Sequence, residues 1–209
     1  MSAFFLPLMP DDGGDVFLAT EHTIGPWSAE HQHGGPPCAL LGRAIAREAG
    51  PGYAVARISF DLERPVPIGL VRVAARTVSG RKARRIEAIL TDPDDRVLVR
   101  AMAICIEQRP LELPHMPELP EPLPPYASMP RFDFPFFAAD VGYHTSIDCR
   151  IVRGALGSGV VAAFMRPLLA LVEGEESTPL ERLLVVVDSA SGMSQVLDVR
   201  AFTFVNPDL

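Results

Sequence analysis

The sequence predicts an α+β fold in two units, in which antiparallel sheets curve around helices. Three patterns carry this. A helical stretch with a continuous apolar stripe starts at Pro36. Four runs of alternating polarity follow it, divided by turn residues. A stretch holding nine prolines, residues 109 to 135, then precedes a second and shorter series of the same kind.

In chain order, "DVFLATEHTI" (15–24) reads as a first strand, ended by Gly25 and Pro26. From Pro36 the period turns helical. Leu40, Leu41, Ala44 and Ile45 form one apolar stripe, with Arg43, Arg47 and Glu48 off it. Prolines suit a helix start, because the first amides have no intrahelical partner. "GPG" at 50–52 stops the helix. The runs "RISFDLE", "LVRVAART", "RRIEAILT" and "RVLVRAMAICIEQ" then read as four strands, with turns at "RPVPIG", "SGRK" and "DPDD". The economical packing is a curved antiparallel sheet around the helix.

The proline-rich stretch reads as an extended connector rather than a sheet strand, since proline lacks an amide donor. The boundaries expected are a first unit at 1–108, a linker at 109–139 and a second unit at 140–209. In the second unit "GYHTSIDCRIVRG" and "GVVAAFMRP" read as strands and "GALGSG" as a turn. "STPLERLLVVVDSASGM" reads as a helix, with Thr178, Pro179 and Glu181 forming a capping box; a buried strand "RLLVVVD" is the rival. "VRAFTFVN" reads as a strand. The two halves look like an imperfect repeat whose second copy is incomplete.

Composition excludes several classes. With 209 residues, 48% of them hydrophobic, the chain can bury a sizeable core. A net charge of 19 − 26 = −7 argues against a nucleic-acid partner. No run of eighteen apolar residues predicts a membrane helix, and the start of the chain has no basic segment of a secretory signal. Three cysteines without CxxC spacing suit free, buried thiols in the cytoplasm.

The densest chemistry is "HQHGGPPC" (31–38). His31 and His33 stand two apart with no further ligand at a familiar spacing, so no metal is expected. Gly34 and Gly35 precede a helix start with its unpaired amides. They either let a ligand oxygen reach that backbone or merely permit a tight loop or a close approach of another element, and the residues do not choose. Cys38 reads as a small buried residue. Asp188, after five apolar residues, is either a general base or a turn aspartate bonded to nearby amides; residue types alone favour the second. Arg81, Lys82, Arg84 and Arg85 at a hairpin turn read as a solvated end, with phosphate contact as the alternative.

Together, "GPWSAEHQHGGPPCALLGRAIARE", "ISFDLERPVPIG", "GEESTPLERLLVVVDSASGMS" and "FTFVNPDL" resemble the thioesterase-like proteins of the acyl-CoA thioesterase II type. The resemblance runs from about Asp15 to Leu209. It implies a double hotdog, each sheet wrapped around a long central helix, with the active site between the units. It implies hydrolysis of fatty acyl-CoA to a free fatty acid and CoA, with no metal and no cofactor. In that family a helix aspartate, a Ser, Thr or Asn on the next strand and a glutamine near the C-terminus orient and activate water. By position the first two fall on Asp188 and Asn206, and His33, Gly34 and Gly35 on the segment near the thioester. The family's second hotdog continues through further strands that carry the glutamine. This sequence stops before them and Gln195 is too early, so the second hotdog is incomplete within these residues; the expectation is that further C-terminal residues complete it, since an unfinished sheet would expose a bare edge, and the alternative is a protein that lacks part of its second sheet.

Two further readings stand beside the thioesterase. One is a non-catalytic acyl-CoA binder on the same scaffold. The other is a hotdog dehydratase, which needs a histidine beside an acid, with His33 as candidate. A homodimer or larger homo-oligomer is expected, because exposed sheet faces of such folds pair.

Overall fold

A strand precedes the one expected at 15–24. In the computed structural model, which describes residues 3–112, 114, 124–198, 201–202 and 204–209, β1 spans Ala3–Pro7. Its Phe4 and Phe5 are fully buried. Strand β2 (Asp15–Ala19) is shorter than the sequence suggests. The Thr20 hydroxyl donates to the carbonyl of Ala3 at 2.7 Å, and Glu21–Thr23 coil into a 3-10 turn. A side chain competing for the backbone thus ends the strand.

Helix α1 (Gly35–Ala49) follows, then β3 (Tyr53–Leu62), β4 (Leu70–Ser79), β5 (Ala83–Thr91) and β6 (Val97–Glu107). These are the expected helix and four strands. Ile86, Ala88 and Leu90 alternate inward on β5, and Val99, Ala101, Ala103 and Cys105 do so on β6. Gly80 carries a φ of +92°, which the β4–β5 turn needs, and its missing Cβ leaves room for the Ala83 carbonyl. Within the connector, β7 (Arg131–Phe132) corrects the expectation of no strand there: two residues free of proline pair with the next strand. Residues 113 and 115–123 of the connector lie outside the described residues.

Strands β8 (Ile147–Gly154), β9 (Val161–Pro167) and the short β10 (Ala170–Val172) come next, then α2 (Pro179–Val187) and α3 (Ser189–Met193). The capping box holds: Glu181 N–H donates to the Thr178 hydroxyl at 3.2 Å, and Thr178 N–H to the Glu181 carboxylate at 2.9 Å. The strand "VRAFTFVN" is not found among the described residues, and Val199, Arg200 and Thr203 of it lie outside them. Extended pairing begins later: Phe60 and Leu62 N–H donate to the carbonyls of Leu209 and Pro207.

Among the described residues the strands form two sheets. One has the order β10-β1-β2-β4-β5-β6-β3, antiparallel except for β10 beside β1; the other is β7-β8-β9. The first sheet curls over α1, which packs on β3, β4, β5 and β6 and, on another side, on α2. The expected stripe of α1 is too narrow. Cys38, Ala39 and Gly42 are buried as well, and Arg43 is only 4% exposed. Arg43 is admitted because Glu175, in the loop before α2, accepts two bonds from its guanidinium, at 2.6 and 2.9 Å. That pairing holds the Glu175 carboxyl below its ordinary pKa. The basic hairpin at 79–85 sits at the other end of α1, where Arg84 donates to the carbonyl of Ala49. It is therefore about 20 Å, one helix length, from the start of α1.

Candidate active site

Where α1 begins, segments from both ends of the chain meet. The segment 31–33 is clamped by its backbone: Gln32 N–H donates to Val66 O at 2.8 Å and His33 N–H to Thr23 O at 2.7 Å. Tyr143 N–H donates to Ile24 O at 3.0 Å, which brings the 3-10 turn Tyr143–Ser146 to the same place. Asp188 sits at the break between α2 and α3. The β-branched run Val185–Val187 followed by Asp and Ser is a poor helix interior, and the chain re-nucleates there.

A cleft of about 430 Å³ opens at this junction. Pro26, Trp27, Leu62, Phe134, Phe136 and Phe204 give it an apolar wall, and His33, Asp188, Ser191 and Asn206 give it a polar one. The Asp188 carboxylate is held at both oxygens. Asn206 Nδ2 donates to Oδ1 at 2.6 Å, and Gly34 N–H donates to Oδ2 at 3.1 Å. Asn206 Nδ2 also donates to the Ser191 hydroxyl at 3.0 Å. The Asp188 side chain keeps 15% of its surface open, so it is desolvated without being sealed.

His33 stands beside it, its Nδ1 at 3.4 Å from Asp188 Oδ2. Nδ1 accepts the Gly35 N–H at 3.1 Å, an arrangement that suits a neutral ring with its proton on Nε2. Burial lowers the imidazole pKa, against the opposing pull of the Asp188 charge. The ring lies flat on Tyr143, with centroids 3.7 Å apart and planes at 1°. Tyr143 is itself buried, its hydroxyl bonded to Ser189 Oγ at 2.7 Å and to the Val185 carbonyl at 3.2 Å.

Four of the residues singled out from the sequence, His33, Gly34, Asp188 and Asn206, line this cleft. Gly35 does not, and it answers the question its pair raised. A Cβ there would lie 1.9 Å from the Val185 carbonyl oxygen, so Gly35 permits the close approach of α2 to α1. Gly42 does the same two turns further along the same face, against Leu184. Nor does the start of α1 present free amides to a ligand. The N–H groups of Gly34 and Gly35 are taken by Asp188 and His33, and Pro36 and Pro37 have none.

The residues the sequence did not flag are Tyr143, Ser189 and Ser191. Tyr143 lies in "DVGYHTS", which carries no periodicity and becomes informative only through contacts remote in sequence. Cys38 is fully buried near the site, and burial, then the Asp188 charge, pushes its thiol well above the ordinary range. It is an inert packing residue. Among the described residues no cluster of His, Cys, Asp or Glu is built to hold a metal ion, and no helix is long and apolar enough to cross a membrane.

Residues 23–106 match the family model described as the acyl-CoA thioesterase N-terminal domain. Three solved structures share the fold. A conserved protein of unknown function with a hot dog fold from Alicyclobacillus acidocaldarius is 16% identical, with a TM-score of 0.66 over 89% of this chain and 69% of that one. A candidate thioesterase II from Thermobifida fusca YX is 17% identical, with a TM-score of 0.64 over 88% and 70%. A candidate thioesterase from Novosphingobium aromaticivorans DSM 12444 is 19% identical, with a TM-score of 0.66 over 90% and 76%. No curated protein matches the chain. The curled sheet over α1 and the family match define an α+β hotdog protein. Within that fold, residues 23–106 are similar to an acyl-CoA thioesterase N-terminal domain.

Proposed function

We propose that the protein hydrolyses acyl-CoA thioesters, with Asp188 as the general base. The observation that carries this is the Asp188 carboxylate, fixed at one oxygen by Gly34 N–H and at the other by Asn206 Nδ2, in the wall of a largely apolar cleft. A carboxylate so held cannot rotate away from a water at the mouth of the cleft, and its remaining lone pairs can take that water's proton. In the step itself the water oxygen bonds to the thioester carbonyl carbon and its proton passes to Asp188. The C–S bond then breaks, and the proton goes to the departing sulfur, leaving a carboxylic acid and the CoA thiol. Asn206 orients Asp188 and is a positioning residue. The aromatic wall suits the acyl group.

On this reading the chain is a double hotdog. Units at 1–108 and 140–209 are joined by residues 109–139, and the cleft draws residues from both and, through Phe134, Phe136 and Phe137, from the connector. The cleft lies about 20 Å, one helix length, from the basic hairpin, so Arg81, Lys82 and Arg85 reach CoA phosphates only if the CoA portion of the substrate runs the length of α1.

The test is thiol release over a series of straight-chain acyl-CoAs, run beside direct binding of the same compounds. Turnover by the wild type that Asp188→Asn loses supports the proposal. Binding without turnover favours the acyl-CoA binder instead. A dehydratase reading has one observation in its favour, the 3.4 Å approach of His33 to Asp188. Formation of an enoyl product from a 3-hydroxyacyl-CoA, without thiol release, would select it.

A further inference from the structure

We propose, resting on the hydrolysis reading above, that Tyr143 is a positioning residue of this site. It holds the His33 imidazole as a fixed Nε2–H donor beside Asp188. Three observations converge on it. The Tyr143 ring covers one face of the imidazole at 3.7 Å with the planes parallel to 1°, so the ring cannot tilt. The Tyr143 hydroxyl is tied to Ser189 Oγ at 2.7 Å and to the Val185 carbonyl at 3.2 Å, residues that flank Asp188. Its backbone N–H is tied to Ile24, in the segment that also holds His33. Tyr143 thereby fixes the separation of His33 and Asp188.

The need for such a fixed donor follows from the start of α1. In a helix-first site the leading amides would stabilise negative charge on the thioester oxygen. Here those of Gly34 and Gly35 are engaged and the next two residues are prolines. His33 lines the cleft, its Nδ1 is occupied by Gly35 N–H, and its Nε2 has no partner among the described residues. That leaves Nε2–H to meet the carbonyl oxygen as charge develops there. Asp188 and Tyr143 touch the imidazole, His31, Glu63 and Arg64 line the same cleft, and the Asp188 charge also acts on Cys38. Burial lowers the pKa of His33 and raises those of Tyr143 and Cys38, so all three stay uncharged near neutral pH.

The experiment compares Tyr143→Leu, which removes the stacking ring, with Tyr143→Phe, which keeps it. It reads kcat and KM on the acyl-CoA turned over fastest, the unfolding temperature, and the His33 tautomer and titration by imidazole NMR. For the Leu variant we expect kcat to fall about 100-fold with KM within about threefold, the cost of a displaced reacting group. The His33 titration should move up as water reaches the ring. The Phe variant should recover most of kcat. Unchanged kcat and unchanged His33 titration in the Leu variant overturn the proposal, as does a wild-type imidazole protonated on Nδ1. If the Leu variant does not fold, the Phe variant decides: a few-fold loss of kcat with a raised His33 titration supports the proposal, and no change in either overturns it. A wild type that releases no thiol overturns the hydrolysis reading, and the NMR titration then judges the role of Tyr143 by itself.

Discussion

The two principal helices begin in opposite ways. Helix α2 is capped within four residues, by Thr178 and Glu181 bonded to each other's amides. The first amides of α1 are capped instead by Asp188, 154 residues away, and by the imidazole of His33. A local cap serves the helix alone and is visible in the sequence. A cap borrowed from across the fold makes the helix start and the cleft one structure, so the same bonds that satisfy α1 also aim the Asp188 carboxylate. Stability and chemistry should therefore be separable at α2 and coupled at α1.

The largest effect that tests this contrast is expected at Gly35. Its substitution by alanine sets a Cβ against backbone, the Val185 carbonyl, which cannot rotate away. Gly35→Ala should lose about 3 kcal/mol of stability by denaturant unfolding, at the upper end of the range for overpacking. Gly34→Ala is different in kind, because its Cβ would meet the Asp188 carboxylate at 2.8 Å, and that side chain can move. We expect a smaller loss of stability and about a 100-fold loss of kcat in a thiol-release assay, from displacement of the base. At α2, Thr178→Ala should cost about 1 kcal/mol, read as a lowered unfolding midpoint, with kcat unchanged. If Thr178→Ala lowers kcat as Gly34→Ala does, the two helix starts do not differ as described.

The smallest effect is one of pH. The folded pKa of His33 lies below the unfolded value near 6.5, so the unfolded chain binds more protons between the two. The stabilisation is complete above pH 6.5 and is lost as pH falls through the folded pKa. His144, also lowered by burial, adds a slope of the same sign. Unfolding free energies from pH 7 to pH 5 should fall more steeply for the wild type than for His33→Phe. Parallel slopes would show that His33 is not held neutral.

Much of the fold was legible because its determinants are local. Strands β3 to β6 announce themselves by alternation and by Gly, Pro and Asp turns, and α2 by its capping box. The misses share one cause: β1, β7 and β10 are short and are stabilised by neighbours remote in sequence. Arg43 lay off the apolar stripe, and no local pattern shows that Glu175 would neutralise it in the interior. In the cleft, Asp188 and Asn206 came forward by position within a resemblance. Their mutual bond and the closure of the Gly34 and Gly35 amides exist only in three dimensions. Tyr143 was illegible for the same reason.

The most direct test of the shared cap is Asp188→Ala, with thiol release and thermal unfolding measured on the same sample. With Asp188 as the proposed general base, its loss should lower kcat by roughly 100- to 10,000-fold. Loss of the Gly34 cap should cost about 1 kcal/mol of stability in the same protein. A variant that keeps full turnover, or one that loses turnover at no cost in stability, would contradict the account.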